Sequence, residues 1–199
     1  MGDDKKGRDK QARDADRRQR ERAIAAALER WDETEPPIDE AELGDVGREL
    51  EALEFPATGT EVVETVGDRT VDSADGTYAI EELVPETDGE TFASPAAVRV
   101  RLQRPTIAAS MKRIVEASQH LQDGDLGRSR REAYEKTLRE LVAIDADDED
   151  EGVRVVTDWI VERIRDERSL PGSRAVRREA AAFCRANGYE IRNDEWLGV

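Results

Sequence analysis

The chain predicts a mainly α-helical protein with one small β-hairpin, an α+β fold in which amphipathic helices pack around a small core behind a solvated N-terminal helix. Three observations predict it. Apolar residues recur at helical spacing in successive stretches from Ile24 to Cys184. Only Thr70 to Ile80 alternates like paired strands, around Asp75-Gly76, a dipeptide suited to a type I′ turn. Hydrophobic residues make up 37% of the 199 residues and aromatics 5%, so the core is expected to be small and part of the chain solvated.

Residues 1–36 read as a charged arm, a solvated or disordered helix. Acids and arginines stand four apart, Asp14 with Arg18 and Asp16 with Arg20, but only Ile24, Ala27, Leu28 and Trp31 offer a stripe that can dock. A nucleic-acid-binding arm is the alternative to a solvated one. Pro36-Pro37 ends the arm, and residues 37–123 form a small mixed domain. Its first helix runs from about Asp39 to Glu54 on Leu43, Val46, Leu50 and Leu53. Thr60 is expected to cap a helix from Glu61 to Val66, and Gly67 to end it in the left-handed conformation. The hairpin follows, pairing Val71 with Ile80 and Ser73 with Tyr78, these four sharing one inward face. Ser94-Pro95 is an N-cap followed by proline at the first helical position, opening a helix from Ala96 to about Arg104. Pro105 separates it from a longer helix to about Gln122, with Ile107, Met111, Ile114, Val115, Ser118 and Leu121 on one face and His120 opposite.

Residues 124–199 form a C-terminal helical segment. Its helices span about 129–144 on Tyr134, Leu138, Leu141 and Val142, about 153–168 on Val156, Trp159, Ile160 and Ile164, and about 173–187, capped by Ser173 and stopped at Asn187-Gly188.

Two strings, EFPATGTEVVETVGD and GETFASPAAVRVRLQRP, with the short Asp-Gly hairpin between them, resemble a family of small acidic haloarchaeal proteins known only as a domain of unknown function. The resemblance covers about Arg8 to Ala117. It implies a haloarchaeal source and a soluble mixed helical domain, and it brings no activity, cofactor or catalytic residue.

Composition points to the same setting by itself. Asp and Glu number 47, the net charge is −16, and lysine occurs only at positions 5, 6, 10, 112 and 136. An acidic surface poor in lysine suits molar salt, where the Debye length falls to about 3 Å and repulsion is screened. The charge is uneven: +3 over residues 1–30, −18 over 31–94, +4 over 95–144 and −5 over 145–199. No apolar run is long enough to span a membrane and the N-terminus is charged from Asp3, so the expected location is the cytoplasm, with no membrane partner.

Chemistry is mostly excluded. The lone cysteine, Cys184, allows no intrachain disulfide and no thiolate metal site; it falls on the apolar side of its helix and is expected to be buried. Ser110 and His120 lie ten residues apart on one helix, about 15 Å, too far for a nucleophile and its base. The acidic run from Asp145 to Glu151 lacks the calcium-loop pattern, since the sixth and twelfth positions hold Asp150 and Val156. No cofactor, metal or catalytic residue is therefore assigned.

The sharpest lead is the last helix, where Val176, Ala180, Phe183 and Cys184 occupy one side while Arg174, Arg177, Arg178 and Arg185 cluster on the other. A helix, a turn through Pro171-Gly172, an arginine-faced helix and then strand-like Tyr189 to Arg192 outline a winged helix-turn-helix over 153–192. No Asn or Gln on that face reads a base edge, and a solvated arginine face is the plainer account. The expectation is a non-catalytic interaction or structural module whose partner is a protein, with a DNA-binding regulator as the alternative.

Overall fold

The computed structural model describes residues 44–73, 76–121, 126–144 and 150–189. Eight helices and two antiparallel strand pairs are seen among them, in the order α1 (Gly44–Leu50), β1 (Ala57–Thr58), α2 (Gly59–Val66), β2 (Thr70–Ser73), β3 (Gly76–Ala79), α3 (Ile80–Leu83), β4 (Thr91–Phe92), α4 (Pro95–Leu102), α5 (Pro105–Ser118), α6 (Arg128–Ile144), α7 (Glu151–Glu167) and α8 (Ser173–Ala186). The protein is mainly helical with a minor β component, as its periodicity predicts. The N-terminal arm with its Ile24 to Trp31 stripe, Leu43, residues 145–149 of the acidic run and residues 190–192 lie outside the described residues.

Two apolar clusters meet along α5. Val46 and Leu50 of α1, Val62 and Val66 of α2, Ile80 and Leu83 of α3, Phe92 of β4, and Val98 and Leu102 of α4 form the first with Ala108. Met111, Ile114 and Val115 of α5 join the second, with Tyr134, Leu138 and Leu141 of α6, Val156, Ile160 and Ile164 of α7, and Val176, Ala180 and Cys184 of α8. Successive helical residues point to different sides, so Ile107 faces the second cluster and its neighbour Ala108 the first. Cys184 is fully buried and His120 exposed, as predicted.

Several local expectations are corrected. The cap of α2 is Thr58, not Thr60, because Glu61 stands three residues after Thr58 and closes a capping box. The Glu61 N–H donates to Thr58 Oγ1 at 3.2 Å and the Thr58 N–H donates back to the Glu61 carboxylate at 2.7 Å. Gly67 is right-handed (φ −59°), and its N–H donates to the Val63 carbonyl. The left-handed stop appears instead at Gly188 (φ 75°), where the Tyr189 N–H reaches the Cys184 carbonyl at 2.9 Å in a Schellman pattern. Ser173 is the first residue of α8; its N-cap is Gly172. The Ser94 cap and the Pro95 start of α4 stand as predicted.

The hairpin register is shifted. Val71 pairs with Tyr78 and Ser73 with Gly76, so residues 74–75 form the loop and Gly76 falls in β3. Gly76 holds φ 145°, open to glycine alone, which moves the turn one residue upstream of the Asp-Gly dipeptide. Ile80 then leaves the ladder: its N–H still donates to the Arg69 carbonyl, but it opens α3 and is buried. Arg69 grips Glu49 of α1 through Nε and Nη2 at 3.0 and 2.7 Å. The short β1–β4 pair, Ala57 with Phe92 and Thr58 with Thr91, was not predicted. Two-residue strands carry no periodicity to detect.

Candidate cationic cleft

Residue types alone place arginine at 101, 104, 128, 131 and 139, inside the stretch of net charge +4. Arg101 lies in the last turn of α4 and Arg104 in the link that Pro105 forces between α4 and α5. On α6, Arg128, Arg131, Glu132, Glu135 and Arg139 recur at three- and four-residue spacing, which sets them on one helical face. Packing of α6 against α5 brings the two groups together around a cavity of about 390 Å³. Ala97, Val100, Ile107 and Ala108 complete its lining.

Below the cavity lies Glu90, only 6% exposed, one residue before β4. Its backbone carbonyl accepts from Gly59 and ties α2 to the strand pair. Its Oε1 accepts from Arg101 at 3.4 Å and from Arg131. Arg101 also donates to Glu135, and Arg128 Nε donates to Glu132 at 2.8 Å. Glu90 Oε2 and Arg101 Nε are buried without a hydrogen-bond partner among the described residues. The five arginines and the three carboxylates leave a local net charge of +2 in a chain of −16. Arg139 is exposed and makes no ion pair among the described residues.

Residue 134, beside Glu135 on α6, turns away from the cleft into the second cluster. The Tyr134 ring is fully buried and its hydroxyl donates to the Pro171 carbonyl, pinning α6 to the α7–α8 turn. Burial pushes its pKa up to about 12, weakly opposed by Arg130.

The arginines predicted on the last helix do share α8, but not one environment. Arg174, Arg178 and Arg185 are exposed and make no ion pair among the described residues. Arg177 is half-buried, with Nε shut off from solvent and from any acceptor among the described residues. Arg174 and Arg178 are one turn apart, and Arg185 stands about 10 Å further along the axis. Ser110 is buried while His120 is exposed, so the structure does not bring that pair together. Among the described residues no three His, Cys, Asp or Glu side chains gather as a metal site requires, and no helix is long and apolar enough to cross a membrane.

The matched family is one without a known role. Residues 40–110 match the model of a family of unknown function, DUF5789. No curated protein and no solved structure matches the chain. The DUF5789 match lies within the span of the resemblance noted in the sequence and is shorter than it. It holds the whole first cluster, Glu90, Arg101 and Arg104, and it ends in α5, two residues after Ala108. The α6 wall of the cleft, with Arg128, Arg131, Glu135 and Arg139, lies beyond it. Sequence reasoning passed over the cleft. Its signals were the +4 stretch and the three-and-four spacing on α6, and neither says that two helices bring their arginines to one place.

Proposed function

We propose that the protein is a non-catalytic interaction module of a salt-rich cytoplasm, and that its working surface is the cleft walled by α4, α5 and α6, which receives an anionic part of a partner protein. One observation supports this above all: five guanidiniums converge on one 390 Å³ cavity of a chain whose net charge is −16. Like charges repel, and Glu90, Glu132 and Glu135 offset only three of them, so the cleft is a place where an anion gains. The cleft offers donors and paired carboxylates rather than a nucleophile with a base and an orienting group, which favours binding over catalysis. The lysine-poor acidic composition supports the saline setting. The test is a photo-crosslinking residue in place of Val100, which is 63% exposed on the cleft's rim, in cells that make the protein. A discrete adduct that Arg139→Glu abolishes is expected; no adduct, or one indifferent to that change, would sink the reading.

A second reading is favoured by the three exposed arginines of α8, which have no acidic partner among the described residues. It is a DNA-binding regulator using Arg174, Arg177, Arg178 and Arg185. Each phosphate contact steepens the log-log salt dependence by about 0.9, so charge alone does not hold DNA in molar salt. Discrete genomic peaks in chromatin immunoprecipitation, lost with Arg174→Glu and Arg178→Glu, would put this reading first.

A further inference from the structure

We infer that the occupant of the cleft is an acidic peptide segment bearing an aliphatic side chain, seated with that side chain on Val100 and Ile107 and its carboxylates on Arg104 and Arg139. The inference rests on the interaction-module reading and names the chemistry of the partner. Four features of the site lead to it.

The lining is of two kinds. Guanidiniums stand around the walls, while Ala97, Val100, Ile107 and Ala108 supply an aliphatic surface, and no aromatic ring is among the lining residues. A nucleobase would have nothing to stack on, and single-stranded nucleic acid is held largely by such stacking. Inorganic phosphate would leave the aliphatic surface unused. Val100 is the more exposed of the two large apolar residues that stand out at the surface, 63% against 37% for Val155, and it borders this cavity. An aliphatic anchor from a partner would cover it.

The site is also already set for carboxylates. Arg101 holds Glu135 and Arg128 holds Glu132, so two of the cleft's own glutamates show the kind of group its arginines accept. Arginine takes carboxylates through paired N–H donors in one plane, a geometry that outlasts screening because it acts within hydrogen-bond distance. The local net charge of +2 matches two singly charged carboxylates better than one dianion pressed against Glu132 and Glu135. The volume suits a short stretch: cavities of about 300–1,000 Å³ are the usual size of ligand sites, and three extended residues span about 10 Å.

Glu135 takes a further part. It shares Arg101 with Glu90 and faces the cavity, so it competes with an incoming carboxylate. Its neutralisation strengthens binding, whereas a purely structural ion pair would give no such gain.

The test is fluorescence polarisation with the full chain in 2 M KCl and a fluorescein-labelled Asp-Glu-Leu-Glu-Asp amide as probe. Saturable binding is expected, weakened roughly tenfold when the peptide's leucine becomes serine and by a similar factor in Val100→Asp and in Arg139→Glu. Those two positions are exposed, and unchanged circular dichroism shows that the fold is kept. Glu135→Gln should tighten binding about threefold. A Val100 crosslink in cells together with no peptide binding overturns the inference and leaves the module reading standing; absence of both removes the two together. Peptide binding indifferent to Val100→Asp and Arg139→Glu overturns it, as does displacement of the probe by inorganic phosphate or citrate at the peptide's own concentration, which would make the ligand a small anion. Competition by duplex DNA that Arg139→Glu abolishes would assign the cleft to nucleic acid.

Discussion

Replacing Glu90 by glutamine keeps its size and removes its charge. The change leaves Arg131 with no acid among the described residues, while Arg101 retains Glu135. Removing one member of a fully buried pair costs about 3–5 kcal/mol, and an exposed pair is worth about 0–1 kcal/mol. Arg101 is 15% and Arg131 19% exposed, close to the buried limit, and the amide still fills the space. We expect a loss of about 2–3 kcal/mol, or a fall in Tm of roughly 4–12 °C at about 2–4 °C per kcal/mol for a chain of this size. The assay is thermal unfolding followed by circular dichroism at one fixed KCl concentration, with Glu90→Gln, Arg131→Gln and the double variant. The single changes should couple by about 1–2 kcal/mol, since each removes the same bond. A Tm within 1 °C of the parent, or strictly additive losses, would refute the claim that Glu90 ties β4 to α6.

Gly59→Ala should cost several kcal/mol, because a Cβ there would stand 2.0 Å from the Pro85 carbonyl oxygen and 3.0 Å from that of Thr87, both backbone atoms; a folded variant with parental Tm would contradict it. Ultraviolet titration of the three tyrosines should show one ionising about two pH units late, and Tyr134→Phe should remove that component. Because the folded value is raised above the unfolded one of about 10, the protonated phenol's contribution is intact below pH 10 and is lost between pH 10 and 12, about 1.4 kcal/mol per unit. With a net −18 over residues 31–94, the circular dichroism of the chain should report unfolding on dilution from molar to low KCl, and an unchanged spectrum would refute a halophilic fold.

The long helices were legible because burial imposes a period that many residues repeat. Ile107, Met111, Ile114 and Val115 are buried on α5, and Tyr134, Leu138 and Leu141 on α6, where their spacing put them. Errors fell where two nearby residues compete for one job. Thr58 and Thr60 are both suited to capping α2, and the partner three residues on, Glu61, decides between them. Asp75-Gly76 and Ala74-Asp75 are both candidate loops, and the ladder places Gly76 in the strand. The β1–β4 pair is held by tertiary contacts, Gly59 to Glu90 among them, that no local pattern encodes. The cleft was hidden for the same reason: its walls are 24 residues apart between Arg104 and Arg128, and only the docking of α6 makes them neighbours.

The boundary of the DUF5789 match bears on what the cleft belongs to. The match takes in the first apolar cluster and ends in α5, the helix whose two sides serve the two clusters. Within the match, Arg101 and Arg104 furnish one wall and Glu90 the floor; outside it, Arg128, Arg131, Glu135 and Arg139 furnish the other. A buried Glu90 with Arg101 alone would be a neutral pair with one weak bond of 3.4 Å. Adding α6 brings Arg131 to the same oxygen and Glu135 to the far side of Arg101, and turns that pair into a positively charged cavity. The proposed binding surface is therefore a property of α4 and α5 joined to α6, and the C-terminal helices matter to it through Tyr134, whose hydroxyl bond to Pro171 fixes α6 against the α7–α8 turn.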